Sequence, residues 1–310
     1  MKIVALAGGV GGAKLVDGLV QSLSPQDLTI VVNTGDDFEH FGLTICPDLD
    51  TICYTLAGIA NPETGWGRSE ESWSTYQELK RLRAPDWFQL GDRDLATHLE
   101  RTRRLIDGES LSQITAYFCQ IWGVQHPVLP MSDDPVQTWL LTDEGELPFQ
   151  EYFVYYHYQP IVRDIQFRGI EKAKPAPEVL GALNQADVIL FCPSNPFVSI
   201  DPILGLDGVR KACLNHKVLA VSPIIGGKAI KGPAAKMFEE LGITPSPVAV
   251  AQHYAGLLNG LVMDNLDAQL AAEVQQIGIR TLVTDTLMDN SLARYNLAQI
   301  LLRAIESGEL

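Results

Sequence analysis

Hydrophobic positions along the chain follow two alternating rhythms. Ile3 to Ala7 is a short continuous apolar run closed by glycines, which predicts a buried strand. Leu15, Val16, Leu19, Val20 and Leu23 then recur at helical spacing, and Thr29 to Asn33 (TIVVN) is a β-branched second run. Strand, glycine turn, helix and strand make a βαβ unit, whose right-handed crossover sets the strands parallel. The rhythm returns after residue 186. DVILFC, KVLAV, GLVMDN and RTLVTDT read as strands, PVAVAQHYAGLLNG as a strand followed by a helix, and SLARYNLAQILLRAIES as a closing amphipathic helix. Buried runs alternating with helices predict a doubly wound α/β fold with a mostly parallel sheet.

Residues 60–170 break this rhythm with five tryptophans (Trp66, Trp73, Trp87, Trp122, Trp139), charged helical text and a hairpin pattern, QTWLLT-DEGE-LPFQEYFVYY. The expected organisation is a Rossmann-like core from 1–60 and 170–310, with 61–169 as an inserted helical and hairpin subdomain over the cleft. The strands end in AGGVGG, NTGDD, CPSNP, SPIIGG, MDN and TDT. In open α/β sheets ligands bind beyond the carboxyl ends of the strands, so this polar punctuation converges on one site.

Charge and composition narrow the chemistry. A net charge of -15 excludes a phosphate-backbone partner, which requires clustered Lys and Arg. Five dispersed cysteines with no C-x-x-C fit neither a disulfide framework nor a thiolate zinc site. No apolar run approaches the ~18 residues of a membrane span, and MKIVALAGGVGG is better explained as a core strand than as a signal peptide. A cytoplasmic protein that binds neither nucleic acid nor membrane is expected, and its apolar helices are compatible with a homodimer.

The segment Gly8, Gly9, Val10, Gly11, Gly12, Ala13, Lys14 has the composition of a phosphate loop. It completes neither G-x-G-x-x-G, because Lys14 replaces the last glycine, nor the P-loop, because Leu15 replaces Ser or Thr. Its amides and the following helix N-terminus still favour an anion, with Lys14 adding a point charge; a tight turn with a surface lysine is the competing explanation. Asn33, Thr34, Asp36 and Asp37 end the second strand, where carboxylates grip or activate hydroxyls, or where an Asx turn forms for local reasons. Asp48 and Asp50 in PDLDT suit Mg²⁺ held with phosphates and water, while Asp50 also suits a helix cap. In GDRDLATH, Asp94 and His98 share a helix face, Arg93 suits bidentate anion binding, and Arg101, Arg103 and Arg104 look like a solvated face. SDDP and SNP suit polar turns, though SNP at a strand end also suits contact with a nucleotide base, and Lys228, Lys231 and Lys236 fall in one acid-free stretch that suits either a phosphate or a solvated loop.

Taken in order, GGVGGAKLVDGL, VVNTGDD, PDLDT, LGDRDLATH, LPMSDDPV, PSNPFVSI, VSPIIGG, GPAAK and TDTLM resemble the 2-phospho-L-lactate transferase family of coenzyme F-420 biosynthesis, from Gly8 to Met288. The resemblance implies a Mg²⁺-dependent transfer of a phospholactyl or phosphoenolpyruvyl group from a guanosine-diphosphate-linked donor to the ribityl hydroxyl of the deazaflavin Fo, releasing GMP. It implies donor contacts at Gly8 to Gly12, Lys14, Ser194, Asn195 and Lys236, and metal ligands Asp48 and Asp50. Asn33, Thr34, Asp92 and Asp133 would bind the acceptor, with Asp36, Asp37, Asp50 and Arg93 as the catalytic set. The rival expectations are a non-catalytic nucleotide-sugar-binding regulator of the same superfamily and an NAD(P)-dependent oxidoreductase.

Overall fold

The computed structural model describes all 310 residues. Seven strands form the central sheet: β1 (Ile3–Ala7), β2 (Leu28–Val32), β3 (Val128–Pro130), β4 (Val188–Phe191), β5 (Lys217–Val221), β6 (Gly260–Asp264) and β7 (Arg280–Thr284). Their spatial order is β7-β6-β5-β4-β1-β2-β3, and every pairing is parallel. This is the doubly wound order, in which the chain leaves β1 towards one edge and resumes at β4 towards the other.

Alternation along each strand divides the interior in two. Val4 and Leu6 of β1 enter one apolar cluster, while Ile3, Ala5 and Ala7 enter the other. The second cluster is covered by α1 (Gly9–Val20), α2 (Pro47–Leu56) and the terminal helix α4 (Ser291–Ser307), through Leu15, Leu49 and Leu297. Burying each such leucine contributes about 1.5–3 kcal/mol. The opposite face is covered by shorter helices and by a three-stranded antiparallel sheet of Gln137–Thr142, Gly145–Pro148 and Val162–Arg168, which buries Leu140, Leu147 and Val162. No helix is long and apolar enough to cross a membrane.

Two sequence expectations are corrected. PVAVAQH is a helix, Pro247–His253, with no strand in it. The Ser246 side chain accepts a hydrogen bond from the Ala249 amide and proline occupies the first turn, so capping outweighs the β-branched content. The hairpin strand stops at Pro148; Glu151–Tyr155 forms a helical turn, and Val162–Arg168 pairs with Gln137–Thr142 instead. In addition, β3 falls within 61–169, so that stretch supplies an edge strand to the main sheet as well as the cover beside it.

Candidate active site

The crevice between the ends of β1 and β4 is the topological switch point. The glycine segment leaves β1 there and Pro193–Pro196 leaves β4, and the two are tied together. Ser194 Oγ accepts from the Gly8 amide at 3.1 Å and donates to the Gly8 carbonyl at 2.7 Å. A side chain at Gly11 would collide with the Pro193 carbonyl, and one at Gly12 with Ser194 Oγ. Asn195 Oδ1 accepts from the Phe197 amide at 3.0 Å, and its amide group faces Met237 sulfur at 3.3 Å. Ser194 and Asn195 therefore fasten loops, with the Ser194 hydroxyl both accepting and donating within the protein.

The glycines also bring an acid under the start of α1. Gly9 has φ +62°, a conformation glycine adopts without strain, and its amide donates to Asp48 Oδ1 at 2.7 Å. A Cβ at Gly8 would lie 2.5 Å from Asp48 Oδ2 and 2.7 Å from Ser199 Cβ. Asp48 Oδ2 in turn accepts from Asn33 Nδ2 at 2.9 Å. Asn33 is wholly buried, also donating to the Val198 carbonyl at 3.1 Å and accepting from the Gly35 amide at 2.8 Å. It positions Asp48, which removes it from the acceptor contacts expected of it. With the Gly8 and Gly9 amides engaged by Ser194 and Asp48, the amides of Val10 and Gly11 in the first turn of α1 remain without helical acceptors. Lys14 stands one turn further on. Its ammonium is held below the usual lysine range by partial burial and then by the nearby charges of Arg294 and Lys231. A lysine in that environment gains from an anion.

Beneath this seat lie four carboxylates and one guanidinium. Asp36 is buried, with Oδ1 lacking any partner. Burial first, and then the charge of Asp48, push its carboxyl well above the normal range. Asp48 itself is pushed by burial up to about 6, against the hydrogen bonds from Asn33 and Gly9. Asp37 Oδ1 is also unpartnered, and burial, reinforced by Asp50 and Asp48, raises that carboxyl too. Asp50 differs from the other three. Arg101 clamps both of its oxygens, with Nη1 to Oδ2 at 3.0 Å and Nη2 to Oδ1. Burial opposes the charge on Arg101 and the Asp50 carboxylate overcomes it, leaving the guanidinium firmly protonated.

Arg101 is the residue that the sequence reading missed. It is 3% exposed, whereas Arg103 and Arg104 are paired on the surface of the same helix, α3 (Asp92–Ile106). The signal lay in the helical period: Asp94, His98 and Arg101 are spaced i, i+4, i+7 and form one inward stripe. His98 lies 3.4 Å from Asp94 Oδ1 and 3.7 Å from Asp50 Oδ2, and Tyr54 donates to Asp94 at 2.7 Å.

Several expected site residues stand elsewhere. Arg93, on the outer face of α3, pairs with Glu70 at 2.9 Å and is half-exposed, so helix phase removes it from the catalytic set. Asp92 accepts from Ser72 Oγ and the Ser74 and Thr75 amides, a structural bracket. Lys236 is neutralised by Glu240 and donates to the Pro160 carbonyl at 2.8 Å. Thr34, Asp37 and Asp133 line one cavity of about 280 Å³ beyond β2 and β3. Within it the Thr34 hydroxyl is unpartnered, while Asp133 is held by the amide and hydroxyl of Ser112 at 2.6 and 2.8 Å.

The donor set fits Mg²⁺, with one change of ligand. Asp50 is occupied by Arg101, but Asp36 has a bare buried oxygen beside Asp48, and mutual repulsion of the two is what a dication relieves. No three His, Cys, Asp or Glu side chains form a complete metal cage. Mg²⁺ characteristically takes one or two carboxylates and completes its shell with phosphate oxygens and water, so a pair suffices.

Comparison with known proteins gives a consistent picture. The family model described as "2-phospho-L-lactate transferase CofD" matches residues 3–298. A phosphoenolpyruvate transferase from Kitasatospora aureofaciens is 44% identical over 99% of this chain and 98% of its own length. One from Thermobifida fusca is 45% identical over 86% of this chain and 88% of its own. A 2-phospho-L-lactate transferase from Methanosarcina mazei is 38% identical over 97% of this chain and 100% of its own. The crystal structure of a UPF0052-family protein from Bacillus halodurans superposes with a TM-score of 0.61 at 14% identity, covering 97% of this chain and 98% of that one; this is a likeness of fold.

Proposed function

The chain belongs to the 2-phospho-L-lactate transferase family, and from that premise we propose that it transfers a phosphoenolpyruvyl group, in preference to phospholactyl, from a guanosine-diphosphate-linked donor to the ribityl hydroxyl of the deazaflavin Fo, releasing GMP and using Mg²⁺. The preference rests on identities of 42–45% to relatives named phosphoenolpyruvate transferase against 37–38% to those named 2-phospho-L-lactate transferase. The observation that carries the site assignment is the buried pair Asp36 and Asp48 directly under the start of α1, one oxygen of it bare and one hydrogen-bonded to Gly9.

The donor diphosphate lies on the Val10 and Gly11 amides and on Lys14, whose depressed affinity for its proton an anion would restore. Asp36 and Asp48 would hold Mg²⁺, which when bound neutralises charge on the phosphoryl oxygens. Asn33 and Gly9 fix Asp48 before the donor arrives, so little reorganisation is needed. The ribityl hydroxyl enters from the cavity lined by Thr34 and Asp37. Its oxygen bonds to phosphorus as the bond from phosphorus to the GMP oxygen breaks, and its proton passes to Asp37, the carboxylate lining that cavity beside Thr34. Phosphoryl transfer depends on positioning and charge neutralisation, and no covalent protein intermediate is required.

The test supplies Fo, Mg²⁺ and either the phosphoenolpyruvyl or the phospholactyl donor, and follows the deazaflavin product by mass and GMP by chromatography. The expected result is equimolar GMP and dehydro-F-420-0, with a higher kcat/KM for the phosphoenolpyruvyl donor. Turnover with neither donor would overturn the proposal, and a preference for phospholactyl would reverse the donor assignment.

A further inference from the structure

Residues 222–236, which follow β5, contain no acid and three lysines, and the fold sends those lysines in three directions. Lys236 is neutralised by Glu240. Lys228 is exposed on a two-stranded ribbon, Ile224–Ile225 with Lys228–Ala229. Lys231 turns back towards the glycine segment. Its Nζ donates to the Thr64 carbonyl at 2.7 Å and lies 3.5 Å from the point where a side chain on Gly65 would begin. Val10 Cγ1 lies 2.8 Å from that same point. The ammonium therefore stands near the Val10 side chain in the first turn of α1, and near enough to Lys14 to disfavour its charge.

Neither lysine makes a salt bridge, in a chain with 38 acidic residues. Lys14 and Lys231 repel each other, Asp289 offsets this only in part at Lys14, and an anion joining the two lysines would relieve the repulsion. The only partner of Lys231 is a neutral carbonyl, and a phosphate oxygen is a stronger acceptor for an ammonium.

We infer that Lys231 contacts the diphosphate of the donor from above the glycine segment, exchanging the Thr64 carbonyl for a phosphate oxygen and completing with Lys14 a two-lysine clamp. This rests on the reading that the donor diphosphate occupies that segment. The clamp also explains how an acidic protein binds a polyanion, since two ammonium groups and two amides act within a Debye length while the surface acids are largely screened.

The experiment is calorimetric titration with GDP and, separately, with inorganic pyrophosphate, both with Mg²⁺. It compares wild type with Lys231→Met, Lys231→Arg and Lys228→Met. Lys231→Met is expected to weaken both ligands by about tenfold to a hundredfold, the range for one charge-assisted hydrogen bond. Lys231→Arg stays within a few fold of wild type, Lys228→Met binds as wild type, and the affinity for Fo is unchanged in all three. Unaltered binding by Lys231→Met, or an equal loss in Lys228→Met, would overturn the clamp. If wild type binds pyrophosphate but not GDP and Lys231→Met loses the pyrophosphate, the guanosine donor falls and the clamp stands. If wild type binds neither, both fall.

Discussion

Replacing Asp50 by Asn tests the reassignment of that carboxylate from metal ligand to structural partner. In the native protein both Asp50 oxygens are taken by the Arg101 guanidinium, and Arg101 is 3% exposed. Asparagine keeps the shape but leaves a buried positive charge without the carboxylate that clamps it, with only the less intimate charges of Asp37 and Asp94 nearby. Removing one member of a buried pair costs about 3–5 kcal/mol, chiefly because the survivor is left uncompensated. For 310 residues, an unfolding entropy of about 2.1 cal/mol/K per residue gives about 0.65 kcal/mol/K, so the melting temperature should fall by about 5–8 °C. Arg101→Met exposes the opposite defect, and the double variant Asp50→Asn with Arg101→Met should be more stable than either single one, because the lone charge is gone. Differential scanning calorimetry of the four proteins at neutral pH, with and without Mg²⁺, reads this directly. If Asp50→Asn melts within about 1 °C of wild type and loses only its response to Mg²⁺, the pair is not structural and PDLDT supplies the metal ligand through Asp50 after all.

Other outcomes follow from the same geometry. Gly8→Ala places a Cβ 2.5 Å from Asp48 Oδ2 and 2.7 Å from Ser199 Cβ, so it should abolish turnover with the secondary structure retained by circular dichroism; full activity would show that the loop has slack absent here. The Asp48 carboxyl rises from 3.8 to about 6 on folding, so its ionisation destabilises the metal-free protein as pH climbs through that interval. The melting temperature of Asp48→Asn minus that of wild type should therefore rise between pH 4 and about 6 and stay constant above it, whereas a difference that falls with rising pH would contradict the sign. Added Mg²⁺ should lower that difference in the higher range, since it stabilises only the wild-type pair.

The strands β1, β5 and β6 and the terminal helix were legible because continuous apolar runs and helical periods are local properties, and the parallel order follows from their alternation. The polar strand ends located the switch-point crevice for the same reason. What the sequence could not convey was pairing. Asp48 and Asp50 are equivalent in text, and only the fold gives one to Gly9 and Asn33 and the other to Arg101. Arg93 and Arg101 are eight positions apart on one helix, and the turn of that helix sends the first outward and the second inward. Ser194 and Asn195 read as recognition residues, and the fold adds a fastening role that the sequence did not convey, through a glycine amide across the crevice and a helical turn. Lys231 was visible as a charge in an acid-free stretch, but its nearness to Val10 depends on a loop from residues 61–69 meeting another from 226–232.

The most direct test of the site is anomalous scattering from crystals grown with Mn²⁺ in place of Mg²⁺ and with GDP. One peak is expected within coordination distance of both Asp36 and Asp48, with the diphosphate on the Val10 and Gly11 amides and Asp50 still bound to Arg101. A peak on Asp50 with Arg101 displaced, or a diphosphate bound away from the start of α1, would contradict the account.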